Sequence, residues 1–285
     1  MNVFKTYYEL IKPGIVYGNA LPAIGAFVFA SGGHATGALF LAMLVGLSLV
    51  IAGGCVWNNY LDRDIDALME RTKHRALVRG ALSARAAAVY GCVLAALGLF
   101  ILAAYTNLLA AGVALFGLAV YVGAYTLLAK RRTIFGTHVG ALAGAVPPVV
   151  GYVAVTDRLD LAAFILFLTL ALWQMPHFFA IAIRRAKDYQ AARIPALPLL
   201  RDAREALLHM RFYIAAFTLS AFTLSLAGYA SRTYAGIVVL AGFGWLYAAT
   251  REDPQGEAWG RRVFLASLLA MLGFSLALIV SPFTL

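Results

Sequence analysis

Nine apolar stretches divide this chain, over residues 13 to 33, 37 to 57, 84 to 105, 108 to 128, 136 to 156, 160 to 182, 210 to 230, 233 to 250 and 263 to 281. Each is about as long as a helix needs to cross roughly 30 Å of hydrocarbon, where the backbone finds no partners outside the protein. Spanning segments must then be helices or barrel strands, and apolar runs of about 20 residues exclude strands of about ten. The fold class read from this is all-α, a polytopic membrane bundle of nine transmembrane helices. A mean hydropathy of +0.82, with 62% hydrophobic and 13% charged residues, excludes an ordinary soluble domain. The segments between spans are too short for a second folded unit, so residues 1-285 read as a single integral membrane domain.

The basic residues give the orientation. If the N-terminus faces the cytoplasm, 21 of the 23 Lys and Arg fall on the inside, and only Arg158 and Arg232 fall outside. The positive-inside rule reads that asymmetry directly. The net charge of +10 is accordingly an orientation signal and an attraction to anionic membrane lipid. It is not a nucleic-acid footprint, because no soluble basic domain exists to carry one. Lys5 and Lys12 precede an apolar run too long for a cleaved leader, which reads as a retained span. Cys55 and Cys92 fall within spans at no metal-ligand spacing and read as small apolar side chains.

Two inside loops carry both signs of charge. The first begins Asn58-Asn59-Tyr60-Leu61-Asp62-Arg63-Asp64-Ile65-Asp66. At about 100° per residue, Asn58, Asp62 and Asp66 lie within roughly 80° of one another on a helix, while Asp64 points elsewhere. Three oxygen ligands on one face suit Mg²⁺, which takes one or two carboxylates, waters and the oxygens of a phosphorylated substrate. The second loop runs Arg184-Arg185-Ala186-Lys187-Asp188-Tyr189, with cations around a single carboxylate. Together the loops suggest a diphosphate held by Mg²⁺ on one side and by Arg and Lys on the other. Ordinary positive-inside composition accounts for the second loop equally well.

These residues carry a family resemblance. Lys12-Pro13-Gly14, Asn58 to Asp66 followed by Met69-Glu70-Arg71-Thr72, Trp173-Gln174-Met175-Pro176-His177-Phe178, Lys187-Asp188-Tyr189-Gln190 and Ile194-Pro195-Ala196-Leu197-Pro198 occur in that order. The chain thereby resembles the protoheme IX farnesyltransferases, or heme O synthases, a branch of the UbiA-type intramembrane prenyltransferases, over nearly its whole length. The resemblance implies transfer of the farnesyl group of farnesyl diphosphate to a vinyl group of protoheme IX, with water adding a hydroxyl and diphosphate leaving. It implies Mg²⁺ on Asn58, Asp62 and Asp66, with Asp62, Asp66 and Asp188 as the catalytic carboxylates. Asn58, Arg63, Lys73, Arg184 and Lys187 are the implied diphosphate contacts. It also implies a multi-pass protein of the bacterial plasma (inner) membrane, with a downstream heme-modifying enzyme or terminal oxidase as partner.

His177 lies inside span 6 just after Pro176, where a polar ring must find a partner. On a continuous helix it sits about 16 Å below Asp188, a depth compatible with a porphyrin seated beneath the diphosphate. Two roles remain open for it, axial ligand to heme iron or interhelical hydrogen bond beside a proline kink. His138 in span 5 is the rival heme contact. The positions four residues either side of Asp188 are Arg184 and Ala192, which departs from the paired aspartates common in the wider superfamily and argues against a second Mg²⁺ site. Pro147-Pro148 marks a broken helix in span 5. Two other functions share features of this chain. A prenyltransferase acting on a quinone precursor such as 4-hydroxybenzoate would share the Mg²⁺ site, and a transporter or heme-carrying assembly protein would share the acidic mouth.

Overall fold

A computed structural model describes residues 3–201, 203–250 and 256–284. Among them nine helical segments are long and apolar enough to cross a membrane, from Pro13–Ser31 to Gly256–Val280. In chain order, α1 is Val3–Leu10, α2 Pro13–Ser31, α3 Gly37–Leu61, α4 Arg63–Asp66 and α5 Ala84–Tyr105. Span 4 is α6, Leu108–Ala119, continued by a π-helical stretch at Val120–Ala129, and span 5 is α7, Gly136–Gly144, with α8, Val146–Thr156. The remainder are α9 Leu161–Arg184, α10 Ala186–Ala191, α11 Leu197–Leu200, α12 Ala203–Leu226, α13 Arg232–Thr250 and α14 Gly256–Val280. The seventh and ninth spans begin several residues earlier than the apolar runs, at Arg204 and Gly256, because helical geometry continues into the polar end where hydropathy has already fallen.

Lipid tails are as apolar as leucine, so close packing and hydrogen bonds hold such helices together. α3 and α5 illustrate this. A Cβ on Gly98 would come 2.5 Å from the Gly46 carbonyl, and one on Gly53 would come 2.8 Å from the Gly91 carbonyl, so these backbones nearly touch. α2 packs along α8 and also against α14, which brings the last span back to the first. Buried hydroxyls cross-link other pairs, as Thr169 of α9 does with Ser220 of α12 at 2.9 Å. Large apolar side chains including Phe100, Phe116, Phe164, Leu219, Leu240 and Phe243 are left on the outside, where a bilayer would cover them.

Span 5 breaks at Ala145, before the two prolines. A proline lacks an amide proton, so carbonyls in the preceding turn lose their partners. Gln174 of α9 lies against the break, with Nε2 donating to the Ala141 carbonyl at 3.0 Å and its amide packed against Gly144. Connections at one end of the bundle are short and end on side-chain caps, with Thr36, Asn107 and Asp160 accepting from backbone amides three residues on. The long loops, with α4, α10 and α11, lie by helix alternation at the other end. Reporters fused after Arg79 and after Arg193 should label on the same side of the membrane, and one after Asp157 on the opposite side. Any other distribution would break this topology.

Candidate active site

The i to i−4 backbone ladder of α3 does not stop at its formal end. The Asp62 amide donates to the Asn58 carbonyl at 2.9 Å and the Asp66 amide to the Asp62 carbonyl at 2.8 Å. Asn58, Asp62 and Asp66 therefore stay on one face, and all three are buried, at 4%, 1% and 2% exposure. Asp64 points outward and pairs with Arg131 at 2.6 Å, which holds its carboxyl below the usual range.

A carboxylate that deep is tolerable only with its charge balanced and its oxygens hydrogen-bonded. Asp62 Oδ2 accepts from Asn58 Nδ2 at 2.8 Å and from the Lys130 ammonium, and Oδ1 from Arg131 Nη2 at 3.3 Å. Asn58 spans the cluster. Its Oδ1 accepts from Lys12 Nζ at 2.5 Å, and its Nδ2 also reaches Thr126 Oγ1 at 3.1 Å. Asp66 Oδ2 accepts from Arg75 Nη1 at 2.5 Å, and Thr72 Oγ1 donates to the Asp66 carbonyl at 2.9 Å. Asp188, on α10, accepts from the Glu70 amide at 2.9 Å, so the two charged loops meet directly.

The π-helical stretch of span 4 contributes to this site. Thr126 lies within it, and Lys130 follows it with its amide bonded to the Tyr125 carbonyl five residues back. Such wide turns are rare and concentrate at functional sites. Lys12 has left-handed backbone angles, φ 51° and ψ 70°, an unfavourable conformation for a non-glycine residue. Burial, and after it the Arg75 charge, lowers the Lys12 ammonium to about 7. An anion placed beside it would restore its charge.

The cations at the carboxylates are therefore Lys12, Arg75, Lys130 and Arg131, none of which the loop composition singled out. Of the basic residues expected there, Arg63 lies exposed over the Tyr60 ring at 4.6 Å and donates to the Tyr60 carbonyl. Lys73 is exposed and pairs with Glu70 at 2.6 Å, and Lys187 is exposed. Arg184 sits over the Phe264 ring at 5.7 Å, and its Nε is buried without a hydrogen-bond partner. The signal available in sequence was position, since Lys130 and Lys12 lie at the ends of their spans.

Among the described residues no three His, Cys, Asp or Glu side chains gather as a metal site. The donor types nevertheless suit a hard divalent cation, an amide oxygen and two buried carboxylates in one row, with Lys12, Lys130 and Arg75 bonded to those oxygens in this structure. The histidines stand apart from this row. His177 Nδ1 lies 2.7 Å from Ser267 Oγ, and its ring stacks on Trp173 with centroids 4.4 Å apart. His138 Nε2 lies 3.2 Å from the Tyr213 hydroxyl, while its Nδ1 is buried without a partner.

A helical bundle with acidic and basic residues joined at one end, and an aromatic-lined histidine deeper in a span, has the form of an intramembrane prenyltransferase. The UbiA prenyltransferase family model matches residues 19–268, and the chain belongs to that family. It is 43% identical over 282 residues to the protoheme IX farnesyltransferase of Photorhabdus laumondii subsp. laumondii, covering 98% of this chain and 96% of that one. Its fold is similar to a structure solved for a digeranylgeranylglyceryl phosphate synthase, with a TM-score of 0.81, 19% identity and full coverage of both chains. It is also similar to a UbiA homolog from Archaeoglobus fulgidus bound to DMAPP and Mg²⁺, with a TM-score of 0.73, 17% identity and coverage of 96% and 99%.

The site separates two kinds of lysine. Lys130→Ala should lower kcat/KM for prenyl transfer roughly 100- to 1000-fold, the usual cost of a lost charge-stabilising donor. Lys73→Ala, at a solvent-facing pair, should stay within about twofold. Equal losses in steady-state assays of the two variants would refute the assignment of Lys130 to the site.

Proposed function

We propose that this chain transfers the farnesyl group of farnesyl diphosphate to a vinyl group of protoheme IX, adding water to give heme O and releasing diphosphate. The observation that carries the reading is the 43% identity, over 98% of the chain, to a protoheme IX farnesyltransferase. The buried row of Asn58, Asp62 and Asp66 supplies the matching chemistry.

In this reading Asn58, Asp62 and Asp66 hold Mg²⁺, which would neutralise charge on the diphosphate and help it leave. Lys12, Arg75 and Lys130 already stand against those ligands and meet the remaining phosphate charge. Asp188 acts through the first loop by fixing the Glu70 amide. The allylic C1–O bond breaks with its electron pair leaving on diphosphate. The porphyrin vinyl carbon attacks C1, and water captures the cation left beside the pyrrole, losing a proton to form the hydroxyl. The spans exclude bulk water until that capture. No enzyme nucleophile is required. His177 contacts the porphyrin iron, deeper than the diphosphate, and His138 is the second candidate.

The charge asymmetry supports a cytoplasmic N-terminus and a site on the cytoplasmic side, and the similarity to a bacterial farnesyltransferase suits an inner membrane. The product is hydrophobic and membrane-held, which suits direct receipt by a downstream heme-modifying enzyme or terminal oxidase. The whole chain acts as one integral domain. Purified protein with Mg²⁺, farnesyl diphosphate and heme should yield hydroxyethylfarnesyl heme and diphosphate by mass analysis. Prenylation of 4-hydroxybenzoate with no reaction on heme would replace this reading with the quinone-precursor one. Asp62→Ala and Asp66→Ala should each abolish turnover in folded protein, and near-normal rates in either at saturating Mg²⁺ would sink the metal assignment.

A further inference from the structure

Ser267 of α14 is fully buried and makes three hydrogen bonds at once. Its carbonyl accepts from Trp173 Nε1 at 2.9 Å. Its hydroxyl donates to the Phe264 carbonyl at 2.5 Å, and the same Oγ lies 2.7 Å from His177 Nδ1. A serine hydroxyl has one proton. With that proton directed to Phe264, Oγ can only accept from the imidazole, so Nδ1 carries the ring proton. In a neutral ring the lone pair then lies on Nε2, which has no hydrogen-bond partner among the described residues.

The ring's orientation is constrained as well as its tautomer. His177 stacks on Trp173 at 4.4 Å and packs against Phe264 at 5.0 Å. Ser267 therefore bonds one ring of α9 through its carbonyl and the other through its hydroxyl, and Phe264 accepts the hydroxyl proton while its side chain touches the same histidine. An imidazole meant only to join two helices needs one hydrogen bond. This one is held at Nδ1 and by ring packing, while Nε2 is left open, the arrangement in which outer-shell partners orient a metal-ligating histidine.

We infer that Ser267 is a positioning residue, fixing His177 in the Nδ1–H tautomer so that Nε2 is presented to the porphyrin iron. This rests on the reading of His177 as the iron contact. The reverse tautomer, with the proton on Nε2, would have no lone pair there to offer the iron.

The test uses full-length purified protein titrated separately with heme and with farnesyl diphosphate, with the iron–histidine stretch of ferrous heme read by resonance Raman. Ser267→Ala should weaken heme binding roughly 10- to 100-fold. It should also shift the iron–histidine stretch and leave farnesyl diphosphate affinity within about twofold. Ser267→Thr, which keeps the hydroxyl, should restore the stretch. An unchanged stretch and heme affinity in Ser267→Ala, with both lost in His177→Ala, would overturn the positioning role while leaving iron ligation intact. If His177→Ala itself keeps the heme spectrum, ligation fails and the inference falls with it. A parallel loss of both substrate affinities and of thermal stability in Ser267→Ala would mark the serine as structural only.

Discussion

The buried carboxylate of Asp62 is the constraint on which the charged end of this bundle depends. At 1% exposure it has almost no water to solvate it, so the protein must bring it counter-charge and donors. Those come from two separate places: Asn58 one turn back on α3, and Lys130 and Arg131 at the end of span 4. Removing one partner of a buried pair costs more than the pair contributes to stability, because a lone charge is stranded. The ends of spans 2 and 4 are thereby held in register. Asn58 extends the same network to Lys12 before span 1, and Asp188 ties in the loop after span 6. Elements remote in sequence converge because one oxygen pair needs them.

Most of the fold was legible in the sequence because the bilayer reduces the choices. A run such as 136 to 156 must be a helix, and the structure has a spanning segment at Gly136–Thr156. The proline pair in that run signalled a break, which falls at Ala145. The facing of Asn58, Asp62 and Asp66 was also legible, since three residues four apart on one helix need no tertiary information. Their backbone ladder continues through the helix end and keeps the relation.

The cationic half of the site was not legible. Lys130 and Asp62 are 68 residues apart, and nothing local relates them. The π-helical turn that precedes Lys130 has no marker in the apolar run of Val120–Ala129. Loop cations close to the carboxylates in sequence looked better placed, yet Lys73 meets Glu70 three residues away and Arg63 folds back on Tyr60. Exposed charges settle on near neighbours or water. Lys12, Lys130 and Arg131, at the ends of spans, are carried to a buried partner by the bundle itself, and Arg75 reaches Asp66 through the fold of the loop. For such a protein, a lysine at a span end is thus a stronger site signal than a lysine in the middle of a charged loop.

Polar groups deeper in the bundle follow a different rule. Along α9 the buried polar side chains each meet a neighbouring helix: Thr169 meets Ser220, Gln174 meets the Ala141 carbonyl, and His177 meets Ser267. Thr169 closes its contact with a single hydroxyl, and Gln174 adds a second donor to a carbonyl that the Ala145 amide already reaches. His177 differs because a two-nitrogen ring cannot be satisfied by one partner, and here only Nδ1 is bonded. An open ring nitrogen at membrane depth is costly unless something else completes it. The electrostatic end and the aromatic interior thus differ in kind. In the first, buried side chains pair with one another across several elements, whereas in the second one ring nitrogen of His177 has no hydrogen-bond partner among the described residues.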